Sequence, residues 1–485
     1  MKRQRVSNLI GENDIAKWID KMNDKSGCRV LINSPTGSGK SYFIGNVFAD
    51  YCADKNLKIL LITNRQILNK QVGVYLKDLG KNNIDVVNYQ NIECRIINGK
   101  VGIFADYDVI VCDEVHYLFS DSEFNRHTDT LLSILKRAPQ GKLCIFMTAT
   151  PDVILSYCKK YDFYYTLKKD YSYISNLFFF KDDSQIEKTL TSGQKCLYFC
   201  GTANSAYKKS LIYKDSDFIC SENNKSYYQK SSSREKTNLI KQNKFNCNIL
   251  FTTKVLDNGI NINDKKLKNI IIDSPDPVTL IQCLGRKRVI NSDDRINLYI
   301  KNYNKNYFTK KSLDYKDKII LADELESIGK REFSKKYKKK SLDSIIDNDM
   351  TVNKAKYYNY KYYQNLYYSF RDEEFGYAKY ICKKLGFKFS PSMIFENSFE
   401  RCVMNNFLNK NLNVKMFGKT KENFKKELFD VLDLLGNVKF KTFSIMSLNN
   451  FIKKLGLEYY VITSVCKVNG KSERYWLIRR CNLLE

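Results

Sequence analysis

Short runs of β-branched and aliphatic residues recur along the first 300 positions, separated by stretches with helical spacing. Residues 29–33, 58–63, 108–112 and 143–147 are almost wholly apolar, which predicts strands buried on both faces of a parallel sheet. The alternation restarts with runs at 195–200, 248–251, 269–272 and 296–300, which predicts a second sheet of the same kind. The join falls between Pro151 and Gln185, and two α/β domains of similar size would have a cleft between them. Beyond Asn302 the strand pattern stops and helical spacing dominates. The expected organisation is therefore two parallel-sheet domains, 1–175 and 176–305, followed by a mostly helical accessory domain over 306–485. Near its end a helix (447–455) precedes two alternating runs, 459–467 and 474–479, around Asn469-Gly470, a strong hairpin signal. A helix followed by a basic hairpin is compatible with a winged-helix module.

Composition changes this picture in three ways. The 485 residues hold 81 Lys and Arg against 53 Asp and Glu, a net charge of +28 that attracts polyanions. Of those cations 64 are Lys, so an AT-rich coding bias is an equally open source of the excess. Fifteen Cys with no C-x-x-C pair, and only two His, argue against zinc ribbons and dithiol redox motifs. No apolar run approaches membrane-spanning length, and no apolar core follows the basic start Met1 to Val6. A cytoplasmic protein that meets no membrane is expected.

Candidate chemistry begins with Ser34-Pro35-Thr36-Gly37-Ser38-Gly39-Lys40-Ser41, directly after the first predicted strand and before a helix. Glycines there let backbone N–H groups approach phosphates, and the helix start adds a positive end. Thr36, Gly37, Ser38, Gly39, Lys40 and Ser41 are the candidate nucleotide ligands, with Lys40 on the β and γ phosphates and the Ser41 hydroxyl on Mg²⁺. Ser34 stands where the strict pattern has glycine. Asp113-Glu114-Val115-His116 follows an apolar strand, 73 residues after Lys40. A carboxylate at that edge faces the ligand crevice of an open α/β sheet, so Asp113 suits Mg²⁺ and Glu114 suits a general base.

The loop at 34–41, the DEVH box at 113–116 and Thr148-Ala149-Thr150 together resemble motifs I, II and III of superfamily 2 helicases. The resemblance continues through residues 251–262, similar to motif V, and through Gln282-Cys283-Leu284-Gly285-Arg286-Lys287-Arg288, similar to motif VI. It implies two tandem RecA-like domains, ATP with Mg²⁺ as the bound nucleotide, and a nucleic-acid strand as partner. By the same resemblance Gln282, Arg286 and Arg288 belong to the catalytic set across the cleft, and Gly259 and Asn261 lie near the ribose. Thr63, Arg65, Gln90, Thr252 and Thr253 would touch the strand backbone, while His116, Thr148 and Thr150 would couple hydrolysis to strand grip, with His116 against Gln282. Val289 occupies the usual last arginine position of motif VI, so either Arg288 substitutes or Arg286 acts alone.

The Q-x-x-G-R-x-R form resembles viral origin-binding replication helicases, and no Gln is suitably placed upstream of the loop to make the Q motif of DEAD-box RNA helicases. Single-stranded or forked DNA is therefore favoured over RNA, with a helicase or translocase in replication or repair as the expected activity. A remodelling ATPase subunit of a larger defence complex, or a binding module with an inactive ATPase, are the alternatives. The tyrosines between 357 and 368 either stack on unpaired bases or fill a core, and the basic run 335–340 is either a solvated segment or a polyanion contact.

Overall fold

The computed structural model describes residues 5–480 apart from 25–26, 65–72, 74, 100–101, 124, 126, 137–138, 223, 255–259, 338–343, 435–443, 456 and 469–470. Its first sheet is wholly parallel and has six strands: β1 (Cys28–Asn33), β2 (Ile59–Thr63), β3 (Ile84–Asn88), β4 (Val109–Asp113), β5 (Leu143–Thr148) and β6 (Phe163–Thr166). They lie side by side in the order β3-β2-β4-β5-β1-β6. The four central strands carry the apolar runs, and every residue of β2 and β5 is buried. The sequence pattern missed β3 and β6, whose exposed and half-buried positions interrupt the apolar signal.

The second sheet is also six-stranded and parallel: β7 (Ile174–Phe180), β8 (Lys195–Phe199), β9 (Ser216–Ile219), β10 (Ile249–Thr252), β11 (Leu267–Ile272) and β12 (Ile296–Lys301), in the order β7-β12-β11-β8-β10-β9. Its first strand starts at Ile174, so the segment joining the two sheets is short, running from Leu167 to Tyr173. Two parallel sheets covered by helices are the RecA-like pair that the motif order implies.

The remainder is helical until its last strands. A long helix, Lys305–Lys336, bends at Gly329 (φ 76°) and packs against the tyrosine helix Lys354–Asp372, followed by the helix Gly376–Leu385. Most of the tyrosines turn inward. Tyr360 and Tyr367 are buried, and Tyr315 stacks on Tyr360 with ring centroids 5.0 Å apart. Core filling, not base stacking, is what the structure assigns to these two side chains. In the basic run, Lys335 and Lys336 pair with Glu332 and Glu324 at the surface, while 338–340 lie outside the described residues.

The tyrosine helix touches both sheet domains. Its N-terminal half enters the first, where Ala355 N donates to Asp129 Oδ1 (3.1 Å) and Tyr358 packs edge-on against Tyr157. Its C-terminal half joins the core of the second, where Tyr363 donates to Asp276 Oδ1 (2.7 Å) and Tyr367 and Phe370 surround Phe308. The adjoining helix adds an ion pair from Lys384 to Asp152 (3.1 Å) and a hydrogen bond from Tyr377 to Ser274 O (2.8 Å).

At the end, helices Phe395–Lys410, Gly418–Leu434 and Ile445–Lys454 precede the antiparallel strands β13 (Tyr459–Val468) and β14 (Lys471–Arg480). The segment after the first of these helices bridges to β14 at Leu412–Ile478 and Met416–Trp476. Helix, bridged segment, helix, helix and hairpin follows the element order of a winged helix, with its own apolar core around Leu428, Leu448, Ile452 and Ile478. Asn469 and Gly470, the expected turn, lie outside the described residues.

Candidate nucleotide site between the two sheets

Register places the candidate residues at one edge of the first sheet. Asn33 of β1 lies opposite Thr148 of β5, and Asp113 of β4 lies opposite Met147. The loops after β1, β4 and β5 therefore leave the sheet side by side at its carboxyl end, where open α/β sheets hold ligands. Ser34 N donates to Thr148 O (2.9 Å) and Val115 N to Met147 O (3.0 Å), which ties all three loops together.

In the first loop Gly37 and Gly39 take left-handed backbone angles (φ 80° and 85°), open to glycine without strain. Lys40 starts the following helix and is buried, while Ser41 beside it is exposed. The Lys40 ammonium bonds Glu114 Oε1 at 2.8 Å. Burial alone would lower the Lys40 pKa, but the Glu114 and Asp113 charges outweigh it and raise it. Burial likewise opposes ionisation of Glu114, yet Lys40 and His116 hold its carboxyl well below the usual range. For Asp113 burial wins over Lys40 and its pKa rises, helped by the neighbouring Glu114 charge. Environment thus divides two adjacent carboxyls into one firmly ionised group and one poised nearer neutrality.

Glu114 itself sits at φ 50°, a left-handed angle that costs a non-glycine residue about 1–3 kcal/mol. The turn aims its side chain back at Lys40. His116 Nδ1 lies 3.4 Å from Glu114 Oε2 and 3.2 Å from Thr148 Oγ1. Thr148 Oγ1 accepts from Thr150 N (3.0 Å) and lies 3.5 Å from Thr150 Oγ1, so the motif II and motif III groups form one connected chain. The contact expected between His116 and Gln282 is not made. Thr148 takes that place, and the Gln282 Nε2 is buried without a hydrogen-bond partner.

The second sheet faces this edge with the segment after helix Pro277–Leu284. From Arg286 the chain runs extended beside Ile262, with Ile262 N donating to Arg286 O (2.8 Å) and Arg288 N to Ile262 O (2.9 Å). Extended backbone turns alternate side chains to opposite faces. Lys287 therefore points inward to a buried ion pair with Asp294 (2.7 Å), and Arg286 and Arg288 share the other face. Arg286 is held by Gln282 O (3.2 Å) and Gln282 Oε1 (3.3 Å), and Arg288 by Asn261 Oδ1 (2.8 Å). The Arg288 guanidinium lies directly over Gly37, where a Cβ would collide with it. A two-residue spacing thus brings a second arginine to the loop despite Val289.

Gly285 also sits close to this loop, since a Cβ there would lie 2.7 Å from Thr36 Oγ1 and 3.2 Å from Gln282 O. Gly285→Ala is expected to push the two sheets apart at this point and to raise the KM for ATP several-fold more than it lowers kcat, measured by steady-state turnover. An unchanged KM would show that the close approach is not needed.

The hydroxyls of Ser34, Thr36 and Ser38 are buried and lack hydrogen-bond partners, as is the ammonium of Lys169 from the segment joining the sheets. Unpaired buried polar atoms are costly and normally rare. Their concentration around Lys40, facing Arg286 and Arg288, fits a polyphosphate, whose oxygens accept from such donors. Lys169 had no motif to reveal it. Asn261 was expected near the ribose and here steers Arg288. Gly259 and Arg65 lie outside the described residues. Of the candidate strand contacts, Thr63 and Thr252 are buried, and Thr252 Oγ1 bonds Thr253 O (3.3 Å). Gln90 is exposed and donates to the Tyr117 hydroxyl (2.6 Å).

Residues 16–155 match the DEAD/DEAH box helicase family, and residues 181–288 match the helicase conserved C-terminal domain. No curated protein matches the chain in sequence. Similar solved structures include S. cerevisiae Dbp5 bound to RNA and ADP BeF3, at 14% identity over 62% of this chain and 86% of that one, with a TM-score of 0.41. A hypothetical ATP-dependent RNA helicase from Sulfolobus tokodaii is similar at 18% identity over 61% of this chain and 93% of that one, with a TM-score of 0.27. Among the described residues no helix is long and apolar enough to cross a membrane. With both halves of the motor present and facing each other across a cleft, the chain is an ATP-hydrolysing nucleic-acid helicase.

Proposed function

We propose that the chain couples Mg²⁺-dependent ATP hydrolysis in this cleft to movement along a single strand, with DNA as the preferred polymer. The observation that carries the reading is the meeting of Lys40, Arg286 and Arg288 around unpaired loop hydroxyls, with Glu114 and Asp113 alongside. Ser41 and Asp113 are the residues that would hold Mg²⁺, which when bound neutralises phosphate charge. Lys40 binds the terminal phosphates, and the Thr36 and Ser38 hydroxyls donate to the same oxygens.

The ion pair between Lys40 and Glu114 makes the base conditional on substrate. While Lys40 is paired with it, Glu114 is a weak proton acceptor. A terminal phosphate that takes over the ammonium leaves Glu114 in a buried site with less positive charge beside it, and its proton affinity rises. It then accepts the proton of the attacking water. Arg286 and Arg288 stabilise charge on the transferring phosphoryl group from the opposite sheet. Their loss of a partner on phosphate release frees the two sheets to shift. The chain from Glu114 through His116 and Thr148 to Thr150 is the route by which the strand side senses hydrolysis.

Support for DNA comes from the missing upstream Gln, the Q-x-x-G-R-x-R spacing, and the winged-helix order of the last domain. In that domain Lys467, Lys471, Arg474, Arg479 and Arg480 are exposed on the hairpin. The test is ATP turnover with no polymer, single-stranded DNA, duplex DNA and single-stranded RNA, with Lys40→Ala as the blank. Stimulation by DNA above RNA is expected. Stimulation by RNA alone would replace the polymer and keep the motor, and no turnover with any polymer would sink the reading.

A further inference from the structure

Lys169 lies in the short segment between β6 and β7, outside every motif that marks the motor. Its ammonium is buried, has no hydrogen-bond partner, and stands 4.9 Å from the Tyr171 ring centroid. The charges facing it are Arg286, Lys40, Arg288 and Glu114, three cations and one anion. Burial first, and then the repulsion of those three cations, push its pKa down to about 7. A long flexible lysine normally reaches water with its head group. Here it is kept inside, mostly among like charges, with an aromatic face and the single Glu114 charge to offset the cost. The arrangement is favourable only once an anion of high charge enters.

We propose that Lys169 is a fourth cationic ligand of the nucleotide, delivered by the joint between the sheets, and that it distinguishes a triphosphate from a diphosphate. The inference rests on reading the cleft as the ATP site. Lys40 approaches the phosphates from the first sheet and the two arginines from the second. Lys169 closes the ring from the backbone that connects them, so the joint itself registers the charge of the bound nucleotide. A triphosphate brings one more charge than a diphosphate, and that added charge is what offsets the repulsion within the ring.

The test uses the full chain with Mg²⁺ and compares binding of ADP and of a non-hydrolysable β,γ-imido ATP by equilibrium titration, alongside thermal melting without nucleotide. Lys169→Met is expected to weaken the triphosphate analogue about tenfold, the scale of one charge-assisted hydrogen bond, and ADP by clearly less. Lys169→Arg should restore most of that loss. Without nucleotide, Lys169→Met should melt at or above the wild-type temperature, because a repelled charge has been removed. Equal loss for both nucleotides together with a lower melting temperature would mean that Lys169 only packs, and unchanged triphosphate affinity would equally overturn the proposal. Wild-type protein that bound neither nucleotide would overturn the site reading, and the proposal with it.

Discussion

Arg288→Ala is expected to lower ATP turnover by about 10³-fold, the lower end of what a cation on the transferring phosphoryl group contributes. Arg288 is only half-buried, with Asn261 Oδ1 accepting from its guanidinium, so the variant should stay close to wild-type folding stability. Arg286→Ala should also lose turnover, but with a cost in stability, because Arg286 is buried against Gln282. The pair therefore separates chemistry from support. Arg288→Lys is expected to recover a part of the activity only, since an ammonium keeps the charge and loses the planar fork. The decisive readouts are single-turnover hydrolysis and chemical denaturation on the same preparations. If Arg288→Ala hydrolyses ATP at the wild-type rate, the altered spacing of motif VI leaves catalysis to Arg286.

Glu114→Gln is expected to abolish steady-state hydrolysis, by about 10³-fold or more, without loss of nucleotide binding. The reason lies in the 2.8 Å ion pair with Lys40. In the wild type an incoming phosphate must compete with Glu114 for the Lys40 ammonium. The amide is a weaker competitor, so ATP affinity should equal or exceed that of the wild type, by up to about tenfold. The variant would collect in the ATP-bound state and hold its strand there. A direct titration with ATP, read beside hydrolysis, checks both halves. Affinity lost in parallel with turnover would instead make Glu114 a structural prop for Lys40.

How much of this was legible in the sequence depended on whether the signal was local. The loop at 34–41 and the box at 113–116 are each one stretch of chain after one apolar strand, so residue type and order disclosed them. The central strands were legible because burial on both faces leaves an unbroken apolar run. Strands β6 and β9 were not, since Phe163–Thr166 and Ser216–Ile219 lie at sheet edges with polar or half-exposed positions. The orientation of Arg288 was out of reach because it follows from the bridge of Lys287 to Ile262, a pairing made in space. Likewise the link from His116 runs to Thr148 because register sets β4 beside β5. Lys169 carried no signal at all. A lysine in a joint looks like solvent-facing charge until folding surrounds it. The tyrosines between 357 and 368 showed helical spacing, but which partners they meet depends on two separate domains.

That last helix limits the stride of the machine. Tyr358 is seated on one motor half and Tyr363 on the other, within a single rigid rod. Any widening of the cleft must part Tyr358 from Tyr157 or pull Tyr363 off Asp276. The rod behaves as a governor, letting the halves rock by about a side chain's give while resisting a wide swing. A motor restrained in this way trades reach for grip. If the motor moves along a strand as proposed, this restraint favours short steps and slow opening between them.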